Sequence, residues 1–211
     1  IKTEPCPYSQ LDFDSDEEFN SFFNRLRTDL LDAARLATVI APHITFASAQ
    51  NWLLSVLNNP ITPLAEWEAV ACFLDAVVSK AKESPTGPQL LERCLTYQTS
   101  DPLIFSEFLS CVSALFTFVQ HDPQRLLQPA LERIFTAVLY IQPGETFETR
   151  SKTTRLVRRH ACSLMVKISL QHPSLFVQCF NYLQSTIDQL GKTEGPSKPS
   201  RMEIISLYEA L

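Results

Sequence analysis

Five fixed positive charges and one imidazole crowd into residues 150–160: Arg150, Lys152, Arg155, Arg158, Arg159 and His160. A guanidinium presents planar donors that match phosphate oxygens, and a helical row of them can follow a nucleic-acid backbone. At about 100° per residue, Val157, Ala161, Leu164 and Ile168 form one apolar stripe of a helix. That spacing predicts Arg155, Arg158, Arg159 and Cys162 on the opposite face, with Ser163 at its edge. The cluster sits at a helix beginning, where the backbone dipole disfavours each cation by about 0.3–1 kcal/mol. A local rule broken this consistently marks a candidate site. Double-stranded RNA is held mainly through phosphates and 2′-hydroxyls, so such a row needs no base-reading motif. The same residues also fit the solvated face of an ordinary helix, and by themselves they leave both readings open.

Other side chains offer less. The acidic run Asp12, Asp14, Asp16, Glu17 and Glu18 either caps a helix, whose dipole favours acids in its first turn, or forms a contact for a basic partner. Trp52, Trp67 and the 14 Phe fall at core-stripe spacing and read as core rather than base-stacking platforms. His43, His121, His160 and His172 make no HExxH and have no Cys or carboxylate at metal-ligand spacing. No Walker loop, nucleophile elbow or GxGxxG is present. The sequence therefore predicts a binding protein rather than an enzyme, with no cofactor or metal.

The elements that position these residues are helices. Gly is scarce at 4 in 211 residues, and the 14 Pro fall mostly between apolar runs, which disfavours hairpins and phosphate loops. No run alternates with a period of two, so no sheet is expected. Ser15 and Glu18 form a capping box. Phe19, Phe22, Phe23, Leu26, Leu30, Ala33, Ala34 and Ala37 then make one stripe expected to be buried, ended by Pro42. Further helices are expected over about 44–57, from Thr62 as cap with Pro63 first, over Leu90–Leu95, from Ser100 as cap to Val119, over 124–141, 151–171 and 174–190, and from Arg201. Net charge is −5 overall. Residues 1–100 hold 7 Lys/Arg against 13 Asp/Glu, whereas residues 101–211 hold 11 against 10. An acidic whole thus leaves room for a basic site in the second half. Of the six Cys none forms a CxxC. Five lie in apolar helical runs and read as small buried hydrophobes of a reducing compartment. No stretch reaches about 18 uninterrupted apolar residues, so no membrane insertion is expected.

One internal echo selects the architecture. ALFTFVQHDPQRLLQPALERIF returns as MVKISLQHPSLFVQCFNYLQ, so that Gln120-His121 reappears as Gln171-His172 and Pro123 as Pro173. A repeat of about 40–50 residues with two helices per unit is a HEAT-type signature. We expect an all-α fold, a HEAT-type antiparallel helix-pair solenoid. Its parts are an irregular lead-in at 1–14, stacked helix pairs over 15–190, a polar linker at 191–200, and the truncated start of a further helix at 201–211. Ile1 and the uncapped ending MEIISLYEAL read as cut ends.

The strings DFDSDEEFNSFFN, WEAVACFLDAVV, DPLIFSEFLSCVSALFTFV and VRRHACS, in that order from Asp12 to Ser163, resemble the central repeats of the exportin-5 family. That family is a branch of the importin-β (karyopherin) superfamily of HEAT-repeat transport receptors. The resemblance implies a nuclear export receptor that shuttles between nucleus and cytoplasm. Its implied partners are Ran in its GTP form, double-stranded RNA with a 3′ overhang (precursor microRNA), and nucleoporins. Protein or peptide cargo held in a groove is the alternative. The resemblance places Arg159 and Ser163 on a basic inner surface near the overhang. It places their neighbour Arg158 either there or at the interface between repeats. Asp32 matches an acidic position that would accept from a ribose hydroxyl, and it otherwise reads as a solvated helix residue. The family carries a longer loop where only residues 58–66 separate Leu57 from Trp67 here.

Overall fold

A computed structural model describes residues 11–211 of the chain. Cys6 and most of the expected lead-in lie outside the described residues. Among the described residues there are ten α-helices, one 3₁₀ segment and no strand. The chain is all-α, with helix pairs of the HEAT type. Contacts divide it into two units, Ile1–Ser84 and Pro85–Leu211, and the break falls in the SPTGP stretch.

The first unit holds α1 (Asp16–Ile40), α2 (Pro42–Asn58) and α3 (Leu64–Val78). The Ser15 side chain accepts from Glu18 N at 3.2 Å, and the Glu18 carboxylate accepts from Asp14 N at 3.0 Å. The cap therefore forms, with its return bond shifted by one residue. Phe46, Ala49, Leu53 and Val56 of α2 meet Trp67, Val70, Ala71 and Leu74 of α3 in the core. The α1 stripe departs from expectation. Phe22, Leu26 and Leu30 are exposed, and Thr38 is the only buried residue of that helix. α1 touches α2 and α3, and these two cover only part of an apolar arc that runs from Phe19 to Ala37. Thr62 also departs from its expected capping role. Its hydroxyl donates to Asn59 O at 2.9 Å, and Pro63 takes the cap position with no side-chain bond.

The second unit holds α4 (Gly87–Leu95), α5 (Pro102–Leu115), a 3₁₀ segment (Phe116–His121), α6 (Pro123–Val138), α7 (Lys152–Gln171), α8 (Pro173–Gln178), α9 (Phe180–Gly191) and α10 (Arg201–Glu209). Asp101, not Ser100, caps α5, accepting from Leu103 N and Ile104 N. Pro at the first helical position then removes a donor that would have no partner. α5, α7 and α10 touch in succession in one layer, and α4 and α6 touch in the other. That alternation is what a stack of helix pairs requires. The stretch Pro102–His121 is long and apolar enough to cross a membrane, with mean hydropathy 1.8 over its window, but 72% of that window is buried in the fold. It serves as the central core element of this unit.

Two expected helices are divided. The run to Val119 is α-helical only to Leu115 and then tightens to 3₁₀. The tighter turn lays the Phe118 ring on Gly87, where a Cβ would lie 2.2 Å from Phe118 Cδ1. The run 174–190 breaks at Cys179 (φ −108°, ψ 17°) into α8 and α9. The sequence echo has a physical counterpart here. Gln120 Nε2 lies 3.0 Å from His172 Nδ1, and the His172 ring packs on Phe116. The turn of one repeat thus docks on the turn of the other.

Candidate nucleic-acid interface

The site is built around the start of α7. No acid lies in the first turn of this helix. The missing negative charge comes from the preceding loop. Gly144, at φ +83°, supplies the left-handed turn that brings Glu145 back over the helix end. The Glu145 carboxylate accepts from Ser151 N at 2.9 Å, Thr154 Oγ1 at 2.7 Å and Gln142 N at 3.1 Å. Desolvation raises the carboxyl pKa, but these bonds outweigh it and hold it down at about 2. Glu145 therefore stays ionised beside the cation cluster and stabilises α7 through the dipole and the cap.

Arg158 does not lie on the exposed face opposite Val157, Ala161, Leu164 and Ile168. It is fully buried, with 0% exposure, and faces α10. Its Nε and Nη2 donate to the two carboxylate oxygens of Glu203, each at 2.9 Å. Its Nη atoms also reach the carbonyls of Tyr140 at 3.1 Å, Ser197 at 3.3 Å and Lys198 at 3.2 Å. The cause is geometric. Arg158 lies only about 100° from Val157 around the helix, and α10 covers that flank as well as Cys162. Arg150 plays a similar part. It is 6% exposed, and its Nη2 donates to Pro196 O at 2.6 Å and to Lys198 O. The two arginines fix the backbone of the 191–200 stretch, which reads from sequence as a plain polar linker. Ser200 and Glu203 complete the anchorage as a reciprocal capping box at the start of α10.

Arg155, Arg159 and Ser163 recur every fourth residue and are all exposed. They line one wall of a cleft of about 500 Å³ between α7 and α10. Phe147 and Arg150, from before α7, and Ser200, Met202 and Ser206, from α10 and its cap, also line it. The Arg150 guanidinium lies 4.6 Å from the centre of the Phe147 ring, and its buried Nε has no hydrogen-bond partner. Glu203 is the one carboxylate among the lining residues, and it is committed to Arg158. Arg155 and Arg159 have no ion-pair partner among the described residues. Like charges four residues apart destabilise a helix by about 0.2–0.5 kcal/mol, so this wall is held together against its own electrostatics. An arrangement of this kind attracts anions. It is not built for covalent chemistry. Burial, then the Glu203 charge, pushes the Cys162 thiol up to about 12, and a neutral thiol is a poor nucleophile or metal ligand.

The remaining candidates lie elsewhere. His160 turns away toward α5, with Nδ1 2.6 Å from Ser106 Oγ, and burial followed by the Lys167 charge lowers its pKa. Asp32 belongs to the first unit, is exposed, and pairs with Arg35 at 2.6 Å. Asp12, Asp14, Asp16, Glu17 and Glu18 are exposed around the start of α1. Sequence reasoning missed Glu145, Phe147 and Glu203. The S-x-x-E spacing of Ser200 and Glu203 is a legible cap signal, whereas the pairing of Glu203 with Arg158 joins residues far apart in the chain. Among the described residues no three His, Cys, Asp or Glu gather in a way that could hold a metal ion.

Known proteins match the chain along nearly its whole length. The profile of the Exportin-5 family matches residues 2–211. Exportin-5 of Homo sapiens is 34% identical over 98% of this chain, and that of Mus musculus is 33% identical over 98%. Protein MSN5 of Saccharomyces cerevisiae is 20% identical over 87% of the chain. The chain spans 19% of the length of the human and mouse proteins.

Proposed function

The chain belongs to the Exportin-5 family, and from that membership we propose that it is a segment of a Ran-GTP-dependent nuclear export receptor. Its cargo is double-stranded RNA with a 3′ overhang, of the precursor-microRNA kind, carried from nucleus to cytoplasm. Its role is binding rather than catalysis. The observation that carries the RNA reading is the α7 wall of the cleft, where Arg155 and Arg159 project without internal partners and Ser163 follows one turn on. Two unneutralised guanidiniums on one helical stripe, about 6 Å apart along the axis, suit successive backbone phosphates better than a single small anion. Arg158 has no share in this contact, because its donors are already engaged inside the fold. Asp32 is assigned to a ribose hydroxyl. The exposed acids from Asp12 to Glu18 are assigned to a basic surface of a protein partner, Ran among them. Nucleoporins complete the set of transport partners.

The test is a salt titration of the full-length receptor with a short RNA hairpin bearing a 3′ overhang. Each phosphate contact removed lowers the steepness of log K against log salt by about 0.7–0.9. Arg155→Ala/Arg159→Ala is expected to lower it by about 1.4–1.8 and to weaken binding for any RNA sequence alike. A slope equal to that of the wild type removes α7 from the RNA contact.

A further inference from the structure

Phe147 departs from the core role expected of the phenylalanines. Its ring is 40% exposed and lines the same cleft as Arg155 and Arg159. The exposure is not for want of neighbours, because the turn that carries Phe147 has one on each side in the stack. Tyr140, before it, packs on Phe105 of α5. Arg150, after it, bonds to the carbonyls of Pro196 and Lys198 ahead of α10. The ring is also held in place. Thr146 and Thr149 bracket it, each backbone N–H donating to the other's hydroxyl, at 2.9 and 3.3 Å. The Arg150 guanidinium, fixed by its two carbonyls, stands over one face of the ring.

We propose that Phe147 is a stacking platform for an unpaired nucleobase of an RNA whose phosphates lie on Arg155 and Arg159. The proposal rests on the RNA reading of the α7 wall and adds a residue that distinguishes a free base from a paired one. Inside a duplex each base is covered on both faces by its neighbours, so only an unpaired base can lie on an aromatic ring. Arg150 takes one face of Phe147, and the base takes the other. A ring fixed beforehand loses little freedom on binding. It also accepts any base, since every base has a π-face. The cleft itself narrows the ligand class. A small anion with no planar part gains from the arginines alone, and an uncharged planar molecule gains from the ring alone. A nucleotide with its base free gains from both.

The test uses the full-length receptor and two RNA hairpins. One carries an intact 3′ overhang, and in the other the overhang nucleotides are abasic, so that phosphates and riboses are the same. Phe147→Leu keeps apolar bulk but loses the plane. It is expected to weaken binding of the intact hairpin about tenfold and to leave the abasic hairpin unchanged. Phe147→Tyr keeps the plane and is expected to bind both hairpins as the wild type does. The salt slope stays at the wild-type value in both variants, because no charge is removed. Equal weakening of both hairpins by Phe147→Leu, as a merely structural role would give, or no weakening of either, overturns the proposal. The double arginine variant tells two failures apart. If Arg155→Ala/Arg159→Ala lowers the slope while Phe147→Leu changes nothing, the stacking alone is wrong; if the slope holds, the phosphate contact and the stacking fall together.

Discussion

Replacing Arg158 by Ala should unfold the second unit more readily than any change at the exposed arginines. Arg158 is 0% exposed, and the Glu203 side chain facing it is 8% exposed. Removing one member of a buried pair strands the other, at a cost of about 3–5 kcal/mol. The carbonyls of Tyr140, Ser197 and Lys198 lose a donor at the same time. For a unit of this size the loss corresponds to a fall of about 10–20 °C in Tm. Urea denaturation followed by circular dichroism is the assay, and a loss below about 1 kcal/mol would refute the reasoning. A double-mutant cycle sharpens it. Arg158→Met and Glu203→Met singly should each cost about 3–5 kcal/mol, and together distinctly less than the sum, because the double variant buries no unpaired charge.

The pH dependence of the same variant has a definite sign. Burial raises the Glu203 carboxyl pKa, but the bonds from Arg158 and Ser200 more than offset it, leaving it below its usual value. The stabilisation is therefore complete above the ordinary Glu range and is lost as pH falls through the depressed native value. In Arg158→Ala the Arg158 share of that offset is lost and only the Ser200 bonds still oppose burial, so Glu203 protonates more readily in the folded variant than in the wild type. The deficit of the variant relative to wild type should shrink below about pH 4.5. A deficit that stays constant from neutral to acid pH would mean that Glu203 is not the group left stranded.

Glu145→Gln should flatten the acid limb of the stability curve. Its carboxyl is held at about 2, so its contribution is present above the ordinary Glu value and disappears as pH falls toward 2; an unchanged limb in acid titrations by circular dichroism would count against it. Gly87→Ala should destabilise by about 1–3 kcal/mol through overpacking, although Ala is the better helix former, because its Cβ would sit 2.2 Å from Phe118 Cδ1. A Tm at or above wild type would show that the Phe118 ring can move aside.

Helix existence was legible because apolar spacing and Pro breaks are local, but which faces are covered depends on neighbours the spacing does not reveal. α1 and α7 erred in opposite directions for that reason. α1 carries a long Phe/Leu stripe that, among the described residues, α2 and α3 border in part, so some of the expected core residues are exposed there. α7 touches α5, α6 and α10, so its buried arc is wider than the four-residue stripe Val157, Ala161, Leu164 and Ile168, and takes in Arg158 and Cys162. Two cap assignments slipped by one position, from Thr62 to Pro63 and from Ser100 to Asp101. In each case the backbone geometry at the Pro decided which residue ended as the cap. The closure of the 191–200 stretch on Arg150 and Arg158 was not legible, because carbonyl acceptors have no sequence signature.

The arginines of α7 and its approach therefore divide into two groups that composition alone presents as one. Arg150 and Arg158 face inward, hold carbonyls and a carboxylate, and set where α10 stands. Arg155 and Arg159 face the cleft that this placement creates. The groups are separable by experiment, since a folding arginine and a phosphate-binding arginine leave different marks. Loss of Arg158 should lower stability and, by releasing the α10 wall, lower RNA affinity, while the α7 wall keeps its phosphate contacts and the salt slope changes little. Loss of Arg155 and Arg159 should lower the slope and leave stability equal or slightly raised, because two unpaired like charges are gone. Arg158→Lys is the decisive intermediate. A lysine keeps the charge but lacks the planar fork that grips both Glu203 oxygens and the three carbonyls. If it restored full stability, charge alone would hold the pin; if stability stays well below wild type, the fork geometry is what builds the cleft.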